Sequence, residues 1–174
     1  MPVLSYYQMY RDVPELTHAT ADSACMDVRA YFGPKETFFK VYKKDNSFVQ
    51  YMAFSKSGEP IHTVLEPGDR ALIPTGLILD IPIGYSVRIH PRSGLALKQG
   101  LTLVNCEGVV DSDYVEQMYI ALINTSDKNA KIEHGDRIAQ IELVQKLDVQ
   151  LVPRIGKPEQ KTTRIGGFGS TGVV

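Results

Sequence analysis

The sequence predicts an all-β barrel or sandwich with one short helix. Three observations predict it. Short apolar, β-branched runs recur along the chain, and from residue 61 onward clusters of Gly, Pro and Asp separate them at close intervals. Arg137-Ile138-Ala139-Gln140-Ile141-Glu142-Leu143-Val144 alternates with the period of a half-buried strand. One stretch only, Pro91 to Gly100, reads as a helix, with Gly100 as its stop.

In chain order, Val3-Leu4-Ser5-Tyr6-Tyr7 reads as a strand, and Pro14 ends any continuation. Met26, Val28, Ala30 and Phe32 alternate with Asp27, Arg29 and Tyr31, which is strand period, and Gly33-Pro34 closes the run. Residues 37–42 and 48–54 are aromatic, β-branched runs on either side of a polar turn, which predicts a hairpin. Further strands are expected at Thr63-Val64-Leu65, Arg70-Ala71-Leu72-Ile73, Leu77-Ile78-Leu79-Asp80 and Tyr85-Ser86-Val87-Arg88-Ile89. Pro74-Thr75-Gly76 and Pro82-Ile83-Gly84 are read as turns between them. After the helix come Leu101-Thr102-Leu103-Val104, Gly108 to Asp111, Met118 to Ile123, the alternating run at 137–144, and a last strand from Lys146 to Pro153.

The 174 residues leave room for one core. Residues 1–153 read as a β domain, and the Gly-, Lys- and Thr-rich residues 154–174 as a flexible C-terminal tail. A formal charge of −1 gives no bulk field for a nucleic-acid groove, so phosphate recognition would rest on a few placed cations and backbone amides. Cys25 and Cys106 stand apart and form neither a disulfide framework nor a zinc motif. His18, His62, His90 and His134 are scattered singly and read as surface or packing residues. No run is long and apolar enough for a membrane span, and no leader pattern opens the chain. The expected location is the cytoplasm, or a host's cytoplasm for a viral protein.

Three stretches could carry chemistry. Gly108-Val109-Val110-Asp111-Ser112-Asp113-Tyr114 reads as a strand that stops at a turn, followed by a second strand. Such a hairpin mouth offers backbone donors and acceptors to a flat polar ligand, a carboxylate to orient water and an aromatic face. The plainer reading is a surface hairpin with a polar tip. Arg92-Ser93-Gly94 offers a guanidinium fork, a hydroxyl and close backbone approach to phosphate. The same residues also read as an ordinary helix start capped by Ser93. Gly166-Gly167-Phe168-Gly169-Ser170-Thr171-Gly172, after Arg164, could wrap phosphate oxygens, or simply be a frayed end.

Taken together, these motifs resemble the trimeric dUTPase family, the dUTP nucleotidohydrolases. Five motifs stand in the family's order: Ala24-Cys25-Met26-Asp27-Val28; Pro91-Arg92-Ser93-Gly94-Leu95-Ala96; Asn105 with Gly108 to Tyr114; Gly135-Asp136-Arg137-Ile138-Ala139-Gln140; and Arg164 with Gly166 to Gly172. The resemblance implies a jelly-roll-like protomer and a homotrimer with active sites shared between chains. It implies hydrolysis of dUTP to dUMP and pyrophosphate, which limits uracil entry into DNA and supplies dUMP for thymidylate synthesis.

By the same resemblance, Asp111 would activate the water that attacks the α-phosphorus. The backbone at Val109, Val110 and Tyr119, with Asn105, would read uracil. Tyr114 would stack under the deoxyribose and exclude a 2′-hydroxyl. Arg92, Ser93, Gly94 and a neighbouring chain's Gln140 would hold phosphate oxygens. Arg164, Phe168, Gly169, Ser170 and Thr171 would form a lid. Asp27 would contact Mg2+ through water. An ordinary Asp is ionised at neutral pH but is a weak base, so positioning and charge stabilisation would supply much of the rate.

The chain departs from the family pattern in places. Cys25 and Met26 stand where Gly and Tyr are usual, and Val115 and Glu116 where Arg-Gly is frequent. Arg164 lies one residue nearer the glycines. The span from Asp27 to Ser93 is longer by about one hairpin, assigned to residues 33–60 as a surface arm, structural or a site for a protein partner. Two rivals follow. A dCTP deaminase of the same fold would need a glutamate in the strand after the turn, and residues 119–123 hold none. A nucleotide-sensing interaction protein would keep the pocket and use the extra hairpin to bind its partner.

Overall fold

Alternation of apolar side chains places the strands in layers. The computed structural model describes residues 1–33, 38–52 and 62–163. Its elements are β1 (Ser5–Gln8), β2 (Thr17–His18), β3 (Met26–Arg29), β4 (Phe38–Tyr42), β5 (Phe48–Met52), β6 (Thr63–Leu65), β7 (Arg70–Asp80), β8 (Tyr85–His90), α1 (Ser93–Gln99), β9 (Leu101–Leu103), β10 (Gly108–Asp111), β11 (Gln117–Asn124), β12 (Ala130–Ile132) and β13 (Arg137–Gln145). One sheet runs β5-β4-β7-β11-β9, with β1 also on β7; the second runs β10-β8-β13-β3-β2; β12 and β6 form a small pair. Val41, Ile73, Ile120 and Leu122 of the first sheet join Val28, Val87 and Ile141 of the second in one buried cluster.

The long strand β7 differs from expectation. Pro74-Thr75-Gly76 carries turn chemistry, yet the chain runs through it as one strand of 11 residues. Proline removes a ladder donor and Gly76 sits at φ +69, so the ladder is interrupted but not ended. Other groups take the vacated contacts. Tyr31 N donates to Pro74 O at 2.8 Å, Met9 N to Gly76 O at 2.9 Å, and Thr75 Oγ1 to Met118 O at 2.6 Å. A side chain at position 76 would meet Val13 Cγ2 at 2.6 Å and Tyr31 Cδ1 at 2.9 Å. The glycine thus serves both the positive φ and the close approach.

The hairpin predicted at 37–42 and 48–54 forms as β4 and β5. It is tied into the first sheet, because β4 also pairs with the start of β7. Phe39 and Val41 turn inward to the core, while every residue of β5 is exposed. Residues 34–37 and 53–61 lie outside the described residues.

The expected last strand from Lys146 to Pro153 does not form: β13 ends at Gln145. Lys146 N reaches Gly84 O at 2.8 Å, but among the described residues no strand pairs with those beyond it. Tyr31, expected on the polar side of its run, is buried, stacked on Tyr10 and bonded through its hydroxyl to Asp12 Oδ1 at 2.6 Å. Helix α1 ends as read, with Gly100 at φ 67 donating to Ala96 O. Ser93 is its first residue and not its cap; the cap position is Arg92, whose side chain makes no capping bond.

Candidate active site

The pattern of Gly108 to Tyr114 predicts a hairpin with Met118 to Ile123. The strands form, but they do not pair with each other. β10 pairs with β8 in one sheet, and β11 pairs with β7 and β9 in the other. Gly108 makes the first pairing possible, because a Cβ there would stand 3.0 Å from Ile89 Cβ. The chain crosses between sheets through a tight turn, with Tyr114 N donating to Asp111 O at 3.1 Å. The strands therefore part, and a cavity of about 420 Å³ opens between them.

Asn105, Val109, Val110, Asp111, Tyr114 and Tyr119 all line this cavity, with Leu72, Ile89 and Met118 as its apolar walls. Strand alternation sorts their contributions: Val109 is 51% exposed and Val110 only 8%. Val110 can offer a ligand its backbone alone. Among the described residues no strand covers the edge of β10 that faces away from β8. Its main-chain groups remain available to a flat polar ligand. Tyr114 is anchored by its hydroxyl to Gln117 O at 3.0 Å, which fixes the ring at the rim. The Tyr119 phenol is pushed above its ordinary pKa, chiefly by burial and then by Tyr114 and Tyr10. Asp111 is exposed and also lines a second cavity of about 630 Å³, with Ser86, Arg88, Ser112, Asp113 and Lys146. It thus stands on the ridge between the two spaces.

A separate group forms on the outer face of the second sheet. The β13–β3 register sets Gln140 opposite Asp27, and the β13–β8 register sets Gln140 opposite His90. Asp27, Arg92, Arg137, Gln140 and Cys25 line a pocket of about 330 Å³. Asp27 Oδ1 lies 3.2 Å from Arg92 Nε, and its Oδ2 lies 3.0 Å from Arg137 Nη1. Arg92 Nε is buried and too poorly aligned to hydrogen-bond, so its contact with Asp27 is electrostatic. Arg92 Nη1 donates to Arg137 O at 2.8 Å. Two guanidinium groups thus neutralise one carboxylate and are held beside the pocket.

With both oxygens engaged, Asp27 fits a magnesium ion only through an intervening water; direct ligation would displace an arginine. Ser93 and Gly94 open α1 on the surface, and a side chain at Gly94 would meet open space. Arg164, Phe168, Gly169, Ser170 and Thr171 lie outside the described residues.

The structure thus gathers Asn105, Val109, Val110, Asp111, Tyr114 and Tyr119 in one cavity, and Asp27, Arg92 and Gln140 in another. Sequence reading gave Arg137 no role, although it stands inside the Gly135-to-Gln140 run, two positions from Ala139. Its ion pair with Asp27 joins positions 110 residues apart, which local spacing does not reveal. Cys25 has its thiol pushed above the ordinary range, first by burial and then by Glu142.

Comparison with known proteins places the fold and the family. The dUTPase family model matches residues 59–172. The deoxyuridine 5'-triphosphate nucleotidohydrolase of Brucella melitensis is 49% identical over 109 residues, 63% of this chain and 69% of that protein. The fold resembles a Staphylococcus bacteriophage 80alpha dUTPase mutant solved with dUpNHpp, with a TM-score of 0.73 and 20% identity over 98% of this chain and 99% of that one. It also resembles a mutant dUTPase from phage phi11 of S. aureus, described with a structural Mg(II) ion, with a TM-score of 0.65 and 18% identity over 88% and 97% of the two chains. The strand layers of this chain are therefore those of the dUTPase β jelly roll, and the chain belongs to the dUTPase family.

Proposed function

We propose that Asp111 is the residue at which this chain hydrolyses dUTP to dUMP and pyrophosphate, the reaction of its family. The observation that carries the assignment is the cavity where β10 and β11 part, with Asp111 at its edge and Asn105, Val109, Tyr114 and Tyr119 around it. Uracil enters that gap. The main chain of Val109, Val110 and Tyr119, with Asn105, reads its polar edge. A cytosine would present a donor where an acceptor is needed and leave polar groups unpaired, at a cost of about 1–3 kcal/mol each. Tyr114 lies under the deoxyribose and leaves no room for a 2′-hydroxyl.

Asp111 orients a water and takes its proton as the water oxygen bonds to the α-phosphorus. The bond from that phosphorus to the bridging oxygen breaks, and pyrophosphate leaves. Arg92, Ser93, Gly94 and Gln140 hold phosphate oxygens where negative charge spreads. Arg164, Phe168, Gly169, Ser170 and Thr171 close over the nucleotide and exclude bulk water. Mg2+, when bound to the triphosphate, would offset its charge; Asp27 would touch it through water.

The chain works as a homotrimer with sites shared between chains. Supporting this, the uracil-side and phosphate-side residues line separate cavities within one chain. Leu147, Val149, Leu151 and Val152 are exposed on the segment after β13, an apolar run that a neighbouring chain would cover. Among the described residues no helix is long and apolar enough to cross a membrane, and the enzyme acts in the cytoplasm, where it limits uracil entry into DNA and supplies dUMP. The exposed Phe48, Val49, Tyr51 and Met52 of β5 offer a protein partner an edge strand, which keeps a nucleotide-sensing role compatible with activity.

The test is pyrophosphate release from dUTP, UTP, dCTP and dTTP, with and without Mg2+. Turnover of dUTP alone, and gain of UTP turnover in Tyr114→Ala, is expected. Equal wild-type rates on UTP and dUTP would remove the role given to Tyr114. Ammonia release from dCTP would favour a deaminase instead.

A further inference from the structure

Cys25, His90 and Glu142 come from sequence positions far apart, yet the second sheet gathers them. In the β13–β3 ladder the last pair is Ile141 with Met26, and one step beyond it Glu142 reaches Cys25. In the β13–β8 ladder Glu142 is opposite Arg88 and Gln140 opposite His90, so Glu142 and His90 are diagonal neighbours on one face. One potential ligand atom from each of the three residues lies within 4.8 Å of the other two, and His90 Nε2 is 3.0 Å from Glu142 Oε1. All three side chains are half-buried. Scattered single histidines and unpaired cysteines hid this cluster from any reading by spacing.

We propose that Cys25, His90 and Glu142 form a binding site for a borderline-soft divalent transition-metal cation, with Zn2+ the best fit. The donor set is one sulfur, one imidazole nitrogen and one carboxylate oxygen, which suits Zn2+ or Co2+ and not a hard, all-oxygen ion such as Mg2+. Ligand atoms around tetrahedral zinc lie about 3.3–3.8 Å apart, so side-chain shifts on the order of 1 Å close the site. A further carboxylate lies near the other ring nitrogen of His90. His90 Nδ1 faces Glu107 Oε1 at 3.7 Å, and Glu107 is itself held near Arg88 Nη1 at 3.6 Å. Without a metal, His90 Nε2–H donates to the Glu142 carboxylate at 3.0 Å; a cation takes the place of that proton, which moves to Nδ1 on the side of Glu107. Three protein ligands leave the fourth position open. Cys25 also lines the pocket of Asp27, Arg92 and Gln140, which supplies the path of entry. On binding, a metal–sulfur bond forms, the thiol proton passes to solvent, and no oxidation state changes.

The test uses the full chain, stripped with a chelator and titrated with Co2+ alone, then with Zn2+ or Mg2+ as competitors. One Co2+ per chain should give a sulfur-to-cobalt charge-transfer band in the near ultraviolet. Zn2+ should abolish the band, and Mg2+ should leave it. Cys25→Ser should lose the band and Cys106→Ser should keep it. Glu107→Gln should weaken binding by about 10–100-fold. His90→Gln, which keeps the sulfur, should show the band only at more than about tenfold higher Co2+, and so decides the matter should Cys25→Ser fail to fold. No band in the wild type, a band that survives Cys25→Ser, or one lost in Cys106→Ser would overturn the proposal.

Discussion

Asp27 Oδ1 stands 3.2 Å from Arg92 Nε, although Asp27 lies in β3, Arg92 at the start of α1, and 65 positions of chain separate them. With Arg137 on its other oxygen, this carboxylate aims the Arg92 guanidinium at the space beside Gln140. Asp27→Asn keeps the shape and removes the charge. The variant should fold, and its KM for dUTP should rise more than its kcat falls, by about 1 kcal/mol or roughly fivefold, the upper end for a partly exposed ion pair. Steady-state kinetics of the two proteins side by side checks this. An unchanged KM would mean that Arg92 does not need Asp27 to hold phosphate.

Gly76 is the point where β7 bends without ending. Its φ of +69 disfavours any side chain, and Val13 and Tyr31 fill the space a Cβ would need. Gly76→Ala should lower stability by about 2–4 kcal/mol, from left-handed strain together with overpacking. Urea denaturation at neutral pH measures it. A change below about 0.5 kcal/mol, the ordinary size for a surface site, would show that β7 can straighten there.

The buried Tyr31 phenol is raised above its ordinary pKa, first by burial and then by its bond to Asp12. Folding thus favours the protonated ring. That contribution is complete below the unfolded tyrosine value of about 10 and fades as pH rises past it. Wild-type stability should therefore fall in alkali. Tyr31→Phe should be about 1 kcal/mol weaker near neutral pH, and the gap should narrow above pH of about 10. Denaturant midpoints across that range provide the check; a gap that stays constant would remove the ionisation link.

Much of this fold was legible in the sequence because alternation and turn residues act locally. The run from Arg137 to Val144 and the hairpin from Phe38 to Met52 form as their patterns dictate. The misreadings share a cause in contacts from distant chain. Pro74 and Gly76 carry turn chemistry, but Tyr31 and Met9 supply their bonds and keep the strand whole. Leu147 to Val152 has apolar content but, among the described residues, no strand beside it, so pattern alone could not make it sheet. Motif order singles out Asp111 and its neighbours, and in the structure they line one cavity. That β10 and β11 part into different sheets, which opens the cavity, is a matter of tertiary pairing that no local rule contains. Arg137 and the Cys25–His90–Glu142 cluster were missed for the same reason: each joins strands brought together only by the second sheet.

The central assignment is that the Asp111 carboxylate drives water into the α-phosphorus. Single-turnover pyrophosphate release from dUTP by Asp111→Asn, measured with dUTP affinity on the same protein, tests it most directly. The account predicts a rate at least about a thousandfold below wild type, on the scale of losing a general base, with affinity within about threefold. A variant that still released pyrophosphate at a rate near wild type would contradict it.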